Sequence, residues 1–264
     1  MNRIVICLPH NYDQFDKDFV FSLLRMQEHF YEWIVKEKRD DNLSIIAQGG
    51  FRLDHMRNQL VETAIKYEQT HILFLDTDMT FPKETIQWMV EDLEQNEDQG
   101  VEAITGLYTW KKKPFLPHIY SKYDEDSGAF LVAGNFPLDN LFKVEAAGTG
   151  ILMLKTSIFD RVDKPYFKFG EPEKPKYTGA AGEVEIKHPM RLGEDMYFCL
   201  KARPLILCDP RISCKHFKKE GYGVDDYIDS NGLKRKDGSF TGTPEQWDTI
   251  DKLHGENTSG GTDF

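Results

Sequence analysis

The sequence predicts an α/β fold with a mostly parallel sheet, and two observations indicate it. Short apolar runs rich in β-branched residues alternate with segments whose apolar residues recur every three or four positions, as strands alternate with helices in βα units. Turn-forming or acidic residues follow the first three apolar runs, at the edge of the sheet where α/β proteins bind ligands. The predicted strands of the first half are 3–8 (RIVICL), 43–47 (LSIIA), 71–75 (HILFL) and 101–107.

Helical periodicity fills the gaps between these strands. The first helix has one apolar stripe made of Phe19, Leu23, Met26, Phe30, Trp33 and Ile34. The second, over 53–67, has a stripe of Leu53, Met56, Leu60, Ala64 and Tyr67. Pro82 suits the first turn of a third helix, whose apolar residues are Ile86, Met89, Val90 and Leu93.

The second half has a different pattern. Strand-like pieces at 117–120, 129–132, 141–146 and 151–154 precede a Gly/Pro-rich stretch at 164–193, which is long enough to predict a functional loop. A helix over 194–202 and a strand over 205–208 follow. Beyond residue 218 the chain is polar and Gly-rich, so we expect a frayed end.

Composition excludes several classes of function. The 264 residues carry 33 Lys and Arg against 44 Asp and Glu, a net charge of −11, which disfavours binding of nucleic acid or an anionic membrane over the whole surface. No stretch is apolar for long enough to span a bilayer, and the first apolar run is too short for a signal peptide. The 4 cysteines do not have the spacing of a disulfide framework, so we expect a reducing, cytoplasmic location.

The segment Asp76-Thr77-Asp78 directly follows the third predicted strand. Two carboxylates one residue apart at the end of a rigid strand can both reach a divalent ion. Such oxygens suit Mg²⁺ or Mn²⁺, which in turn bind phosphate oxygens. The same residues also suit a turn with solvent-facing aspartates, so the motif alone leaves both interpretations open.

Two further elements bear on this choice. Glu194-Asp195 opens a predicted helix, where the carboxylates either stabilise the helix N-terminus or provide a general base beneath a flexible loop. His216 is either an ordinary surface histidine or the imidazole that completes an Asp/His set for Mn²⁺.

Six ordered segments together resemble the glycosyltransferases of GT-A fold, most closely the family 2-like enzymes frequent in bacteria and their phages. The segments are FRLDHMRNQLVETA, HILFLDTDMTFP, AITGLYTWKKKPF, EAAGTGILMLK, GEDMYFCLKAR and SCKHF. The DTD, GTG and GED elements in this order are specific as a set. The resemblance implies a GT-A (Rossmann-like), mostly parallel central sheet flanked by helices, with a smaller β region on the acceptor side.

The resemblance also implies the domain organisation and the reaction. Residues 1–217 would form the glycosyltransferase domain, with a nucleotide-sugar half (1–110) and an acceptor and catalytic half (111–217), and residues 218–264 a polar C-terminal extension. The implied activity is metal-dependent, inverting transfer of a hexosyl or pentosyl group from a nucleotide sugar, with a UDP-sugar as the first expectation.

Roles can be carried over residue by residue. Asp76, Asp78 and His216 match the ligands of the Mn²⁺ or Mg²⁺ ion that holds the donor diphosphate. Asp195, within the pair Glu194-Asp195, matches the catalytic base that deprotonates the acceptor hydroxyl. The residues implied to lie against the donor are Pro9, His10, Asn11, Arg57, Asp76, Thr77, Asp78, Gly148, Thr149 and Gly150.

One segment departs from the family. Where many relatives carry arginine-rich or tyrosine-rich stretches, this chain has Trp110 followed by Lys111-Lys112-Lys113. The residue that meets the diphosphate therefore stays open, and a lysine run is more often a solvated surface than a binding element.

Other functions and several acceptors stay open. A sugar-phosphate nucleotidyltransferase needs a Gly-rich loop after the first strand, and LPHNYDQ supplies none. A non-catalytic carbohydrate-binding module of the same fold is the third possibility. The acceptor is a glycan, a protein side chain or, in a phage context, a hydroxymethylated DNA base, for which the basic runs 111–113, 215–219 and 234–236 would be the contact surface. The sequence predicts no oligomeric state.

Overall fold

The computed structural model describes residues 1–11, 15–170 and 192–217, together with the short pieces 221–222, 227–228, 234–236 and 239–241. Helices and strands alternate regularly in the first half. In order, its elements are β1 (Arg3–His10), α1 (Lys17–Lys36), β2 (Asn42–Gly49), α2 (Leu53–Lys66), β3 (His71–Leu75), β4 (Met79–Thr80), α3 (Thr85–Gln95) and β5 (Ala103–Leu107).

The second half is mainly β structure. Its elements are β6 (Ile119–Asp124), β7 (Ala129–Val132), β8 (Phe142–Val144), β9 (Ala146–Ala147), β10 (Ile151–Lys155), α4 (Glu194–Ala202), β11 (Ile206–Ser213), β12 (Lys215–Phe217), β13 (Gly221–Tyr222), β14 (Lys234–Lys236) and β15 (Ser239–Thr241). Short 3₁₀ turns cover Glu97–Gln99 and Thr156–Arg161.

A seven-stranded sheet forms the centre of the molecule, in the order β2-β1-β3-β10-β5-β11-β8. Strands β2, β1, β3, β5 and β11 point the same way, whereas β10 and β8 run antiparallel to their neighbours. The sheet is therefore mostly parallel by strand direction, and its carboxyl edge collects the ends of β1 and β3.

Helices cover both faces of this sheet because side chains alternate along each strand. On one face, Ile4 and Ile6 of β1 pack with the buried stripes of α1 and α3. On the other face, Val5 and Cys7 pack with residues of α2 and α4. The apolar stripes predicted for the helices are thus the surfaces that meet the sheet, except that Tyr67, predicted in the stripe of the second helix, lies just past the end of α2 and is exposed. The predicted fold class, a mixed α/β fold consistent with GT-A, is confirmed.

Besides the central sheet and the two-stranded pair β14-β15, the described residues form two three-stranded antiparallel sheets. One has the order β13-β12-β4 and the other β7-β6-β9. Strand β4 begins one residue after the Asp76-Thr77-Asp78 segment and pairs with β12, so His216 lies opposite Met79. This small sheet brings His216 beside the end of β3.

Several boundaries differ from those predicted. Strand β11 continues to Ser213, past the predicted end at 208, with a shift of register against β5 between Cys208 and Ser213. The predicted strand 141–146 is split into β8 and β9, which belong to different sheets. Most of the predicted loop 164–193, and most of the chain beyond residue 218 that was expected to fray, lie outside the described residues.

Part of the C-terminal extension contacts the main domain. Tyr227 is buried, donates a hydrogen bond of 2.9 Å to the Gly134 carbonyl and stacks on Phe136 at 6.3 Å. The domain boundary at 217/218 stays a prediction. Among the described helices, none is both long and apolar enough to cross a membrane.

Candidate active site

The Asp76-Thr77-Asp78 segment lies at the carboxyl edge of the central sheet, where β3 ends. The Asp76 amide donates a hydrogen bond of 2.9 Å to the carbonyl of Gly150, the residue just before β10. This bond fixes the start of the segment against the start of β10. The Asp78 carbonyl accepts a hydrogen bond of 2.8 Å from the Phe217 amide, which fixes its end against β12. Backbone bonds at both ends therefore hold the segment in place.

Asp78 and His216 face each other across this junction. Oδ1 of Asp78 lies 3.3 Å from Nε2 of His216. The other ring nitrogen, Nδ1, lies 2.9 Å from the Thr109 carbonyl. Because a carbonyl only accepts, Nδ1 carries a hydrogen and Nε2 is the nitrogen directed at the carboxylate.

The Asp78–His216 pair fits a hard divalent cation. Two ligands at about 2.1 Å from an octahedral ion lie roughly 3 Å apart, close to the separation of Oδ1 and Nε2. An imidazole whose Nδ1 donates to a backbone carbonyl is the usual arrangement of a metal-binding histidine. Among the described residues no group of three or more His, Cys, Asp or Glu side chains is placed to hold an ion.

Lys111 occupies the second oxygen of Asp78. Its Nζ pairs with Oδ2, and the Lys111 side chain is 31% exposed. Burial raises the pKa of Asp78, but the hydrogen bond and charge of His216, and then those of Lys111, lower it to about 2. Asp78 is therefore an ionised carboxylate whose two oxygens face an imidazole and an ammonium group.

Asp76 is engaged differently, by a buried arginine. Nη2 of Arg57, on α2, lies 3.1 Å from Oδ1 of Asp76, and Nη1 pairs with Glu194 at the start of α4. Arg57 and Glu194 are both almost completely buried. The guanidinium group thus ties the end of β3 to the helix that carries Asp195.

Asp195 lies in the first turn of α4. Its Oδ1 accepts a hydrogen bond of 2.8 Å from the Met196 amide. Burial raises the pKa of Asp195, the charge of Asp76 adds to this, and Arg57 opposes it. A Cβ at Gly193 would lie 2.6 Å from the same Oδ1, so a larger residue there would require the Asp195 carboxylate to shift. Asp195 is therefore a carboxyl group whose proton affinity is increased by its surroundings.

The segment Gly148-Thr149-Gly150 packs around Tyr108. A Cβ at Gly148 would lie 2.1 Å from the Tyr108 hydroxyl oxygen, and one at Gly150 would lie 2.8 Å from Cζ of the same ring. The Gly150 amide donates a hydrogen bond of 3.0 Å to that oxygen. The glycines are thus explained by the close approach of Tyr108, whereas contact with the donor stays a prediction. The Thr149 hydroxyl is buried and makes no hydrogen bond to the described residues.

The first three residues predicted to lie against the donor are at the end of β1. Pro9 and His10 are the last residues of this strand, and Asn11 is exposed just beyond it. The His10 ring packs edge-on against Phe15 at 5.3 Å. Residues 12–14, which continue this loop, lie outside the described residues, and Thr77 is partly exposed between the two aspartates.

Among solved structures, the chain is similar in fold to A197 from STIV, with a TM-score of 0.54 and 16% identity over 85% of this chain and 91% of that one. Weaker likenesses link it to S. aureus TarS 1–349 in complex with UDP-GlcNAc, with a TM-score of 0.44 and 15% identity over 88% of this chain and 64% of that one. Another weak likeness is to a glycosyltransferase involved in the glycosylation of the major capsid of PBCV-1, with a TM-score of 0.31 and 13% identity over 62% of this chain and 68% of that one.

These likenesses concern the fold alone, because the identities are low. No protein-family model matches the chain. Comparison with curated protein sequences gives no match either. The assignment of a function therefore depends on the geometry of the site.

Sequence reasoning missed two aromatic residues beside the Asp78–His216 pair. Tyr108 stacks on His118 at 4.6 Å and contacts His216 edge-on at 5.6 Å. Burial lowers the pKa of His118 well below its usual value and raises that of Tyr108, so both rings are neutral at physiological pH. The signal for Tyr108 was its place in GLYTW, directly after an apolar strand, but nothing in the sequence pointed to His118.

Proposed function

We propose that this protein is a metal-dependent, inverting glycosyltransferase that moves a sugar from a nucleotide sugar to an acceptor hydroxyl. The observation that supports it most is the Asp78–His216 pair at 3.3 Å, at the sheet edge where α/β proteins bind ligands. A carboxylate and an imidazole so placed suit an ion that is shared with a diphosphate.

In this proposal Asp78 and His216 hold Mn²⁺ or Mg²⁺, with Asp76 beside them, and phosphate oxygens complete the coordination. A divalent ion bound there would neutralise the charge that develops on the departing nucleoside diphosphate. Asp76 is paired with Arg57 through an oxygen 3.1 Å from Nη2, so we assign it to orienting the segment as well as to the ion.

Asp195 is the proposed base. The acceptor oxygen forms a bond to the anomeric carbon as the bond from that carbon to the diphosphate oxygen breaks, and the hydroxyl proton passes to the Asp195 carboxylate. A single displacement of this kind inverts the configuration. The raised pKa of Asp195 favours proton uptake at the moment of reaction. Glu194, which the sequence placed beside it as a catalytic residue, holds Arg57.

The proposed donor contacts surround this centre. Pro9, His10 and Asn11 would face the nucleoside, while Thr77, Thr149 and the two glycines that flank it would lie near the sugar and diphosphate. The buried Thr149 hydroxyl, which lacks a hydrogen bond to any described residue, would be satisfied by a sugar hydroxyl. A UDP-sugar is the first donor to test.

The acceptor is proposed at the level of chemical class. A glycan hydroxyl suits the proposed base, whereas a hydroxymethylated DNA base would require the basic runs to converge on the site. Of those runs, Lys111 is paired with Asp78, and the side chains of residues 218–219 and 234–236 lie outside the described residues.

A cytoplasmic location stays a prediction, to which the four buried, free cysteines lend support.

A donor screen by thermal unfolding tests the proposal. The full chain is melted with Mn²⁺ and UDP-, GDP- or dTDP-sugars, and with Mg²⁺ or a chelator in parallel. A ligand at 100 times its Kd stabilises the native state by about 2.7 kcal/mol, or roughly 5–10 °C in Tm for a chain of this size. The shift should need the metal and vanish in Asp78→Asn. A panel in which every donor leaves Tm unchanged would contradict the proposal.

A further inference from the structure

The three-lysine run is divided between two environments. Lys111 pairs with Asp78, whereas Lys112 and Lys113 are exposed and make no ion pair with any residue that the structure describes. The run lies at the tip of a hairpin closed by the Thr109–Pro117 bridge and by a hydrogen bond of 2.9 Å from the Trp110 amide to the Leu116 carbonyl. Its inward lysine is thus held at the site by backbone structure.

The hairpin and the metal-site pair are connected. The carbonyl of Thr109, two residues before Lys111, accepts the hydrogen bond of His216 Nδ1 at 2.9 Å. Placing His216 therefore also places the base of the hairpin, from which Lys111 reaches Asp78. Lys111 and His216 face the same carboxylate through different oxygens, Oδ2 and Oδ1.

We propose that Lys111 is a built-in cation that occupies the metal-binding carboxylate of Asp78 until a divalent ion and a nucleoside diphosphate arrive together. This proposal rests on the proposed function. The Asp78 carboxylate carries a single negative charge, and the Lys111 ammonium group already neutralises that charge. A divalent ion that enters while the ammonium group remains in contact is repelled by a like charge at short range.

After leaving Asp78, the Lys111 ammonium group would have a second anionic partner. Once displaced from Oδ2, the ammonium group lies within side-chain reach of whatever anion is bound to the ion, and a diphosphate supplies oxygens for it. The lysine then opposes the metal when it is alone and favours the metal–diphosphate pair. Binding of the two ligands is therefore positively coupled, and Lys111 sets the coupling factor.

The test is a titration of Mn²⁺ into the full chain, followed by calorimetry or by the EPR signal of free Mn²⁺, with and without UDP, GDP or dTDP. The variants are Lys111→Met and, as a matched control on the same hairpin, Lys112→Met. Asp78→Asn reports whether the bound Mn²⁺ is at the proposed site. Melting curves show that each variant is folded.

Lys111→Met should bind Mn²⁺ on the order of tenfold more tightly than wild type without nucleotide, because the competing ammonium group is gone. The tightening of Mn²⁺ binding by the nucleotide should shrink by a similar factor. Lys112→Met should behave as wild type.

Two results would overturn the proposal. If Mn²⁺ binding depends on Asp78 but is equally tight in wild type and Lys111→Met, Lys111 does not guard the site and the metal-dependent function still stands. If no protein binds Mn²⁺, or if Asp78→Asn binds it as tightly as wild type, the metal site itself is wrong, and this inference fails with it.

Discussion

Arg57 and Glu194 form an ion pair inside the protein, with side-chain exposures of 2% and 5%. The pair joins α2 to the first turn of α4, and the same guanidinium reaches Asp76 at the end of β3. Three elements of the site thus meet at one buried cation. A change at Arg57 should therefore be felt both in stability and in the position of Asp195.

Removing Arg57 should be strongly destabilising. In Arg57→Met, Glu194 becomes a buried charge without its partner, a loss of about 3–5 kcal/mol in the free energy of unfolding. Urea unfolding followed by circular dichroism measures it. The control is Lys164→Met, which removes a lysine from an exposed pair with Glu62 and should change stability by less than about 1 kcal/mol.

The double variant Arg57→Met with Glu194→Leu separates a lost pair from lost packing. It should be more stable than Arg57→Met alone, because no buried charge is left unpaired. A double variant as unstable as the sum of the two single variants would show that the ion pair is not the reason for the loss.

Substitution of Asp195 should separate binding from chemistry. Asp195→Asn keeps the size of the side chain but cannot accept the proton, so transfer should fall by about 100-fold or more while the donor-induced shift in Tm is retained. Loss of donor binding in this variant would contradict the assignment of Asp195 as the base.

The pH profile of transfer reports on the same carboxyl group. Because burial raises the pKa of Asp195, the protonated, inactive form persists to higher pH than for an ordinary aspartate. The rate should therefore rise with pH through a midpoint above the usual aspartate pKa of about 3.9. Initial rates from pH 4 to 8 at saturating metal measure it, and a profile flat down to pH 4 would contradict the assignment.

Gly148 should be intolerant of a side chain because of Tyr108. In Gly148→Ala the Cβ would lie 2.1 Å from the Tyr108 hydroxyl oxygen, so we expect a loss of about 1–3 kcal/mol from overpacking. Tyr108→Phe removes that oxygen and its hydrogen bond from the Gly150 amide, at about 1 kcal/mol. In the double variant the alanine should be less destabilising than in wild type. If the loss of stability in the double variant equals the sum of the two single losses, the alanine does not clash with the Tyr108 hydroxyl.

Asp92 should make the stability of the protein depend on pH. Burial, and then the charge of Asp209, raise the pKa of Asp92 to about 7, although Arg211 opposes the shift. The folded protein therefore holds a proton that the unfolded chain loses near pH 4, so the free energy of unfolding falls as pH rises from about 4 to 7.

Asp92→Asn removes this titration. Its stability relative to wild type should be higher at pH 8 than at pH 5, by on the order of 1 kcal/mol or more, as measured by urea unfolding at both values. The exposed Asp98 provides the control, because Asp98→Asn should give the same difference from wild type at both pH values. If the stability of Asp92→Asn relative to wild type is the same at pH 5 and pH 8, the raised pKa of Asp92 is contradicted.

The sequence was sufficient for the parts of the fold that depend on local periodicity. The stripe of α1 and the bounds of β3 were predicted because side-chain spacing directly reflects which face is buried. The continuation of β11 past Pro210 was not, because it depends on a register shift against β5. The division of 141–146 between two sheets likewise depends on distant partners.

The same division applies to the site. The proximity of Asp78 and His216 was implied by the resemblance, and the structure places them 3.3 Å apart. The contact of Lys111 with Asp78 could not be predicted, since it depends on a hairpin held to β12 through Thr109 and His216. The close approach of Tyr108 to Gly148 could not be predicted either, because the two residues are forty positions apart in the chain, and contact of Gly148 with the donor stays a prediction.

The most direct test of the central claim is the release of nucleoside diphosphate from the donor that stabilises the protein in the thermal screen. Release is followed with Mn²⁺, with a chelator, and in Asp78→Asn and His216→Ala. We predict release with Mn²⁺ that falls to background with the chelator and in both variants. Release that continues undiminished in the chelator, or in both variants, would contradict a metal-dependent transferase built on Asp78 and His216.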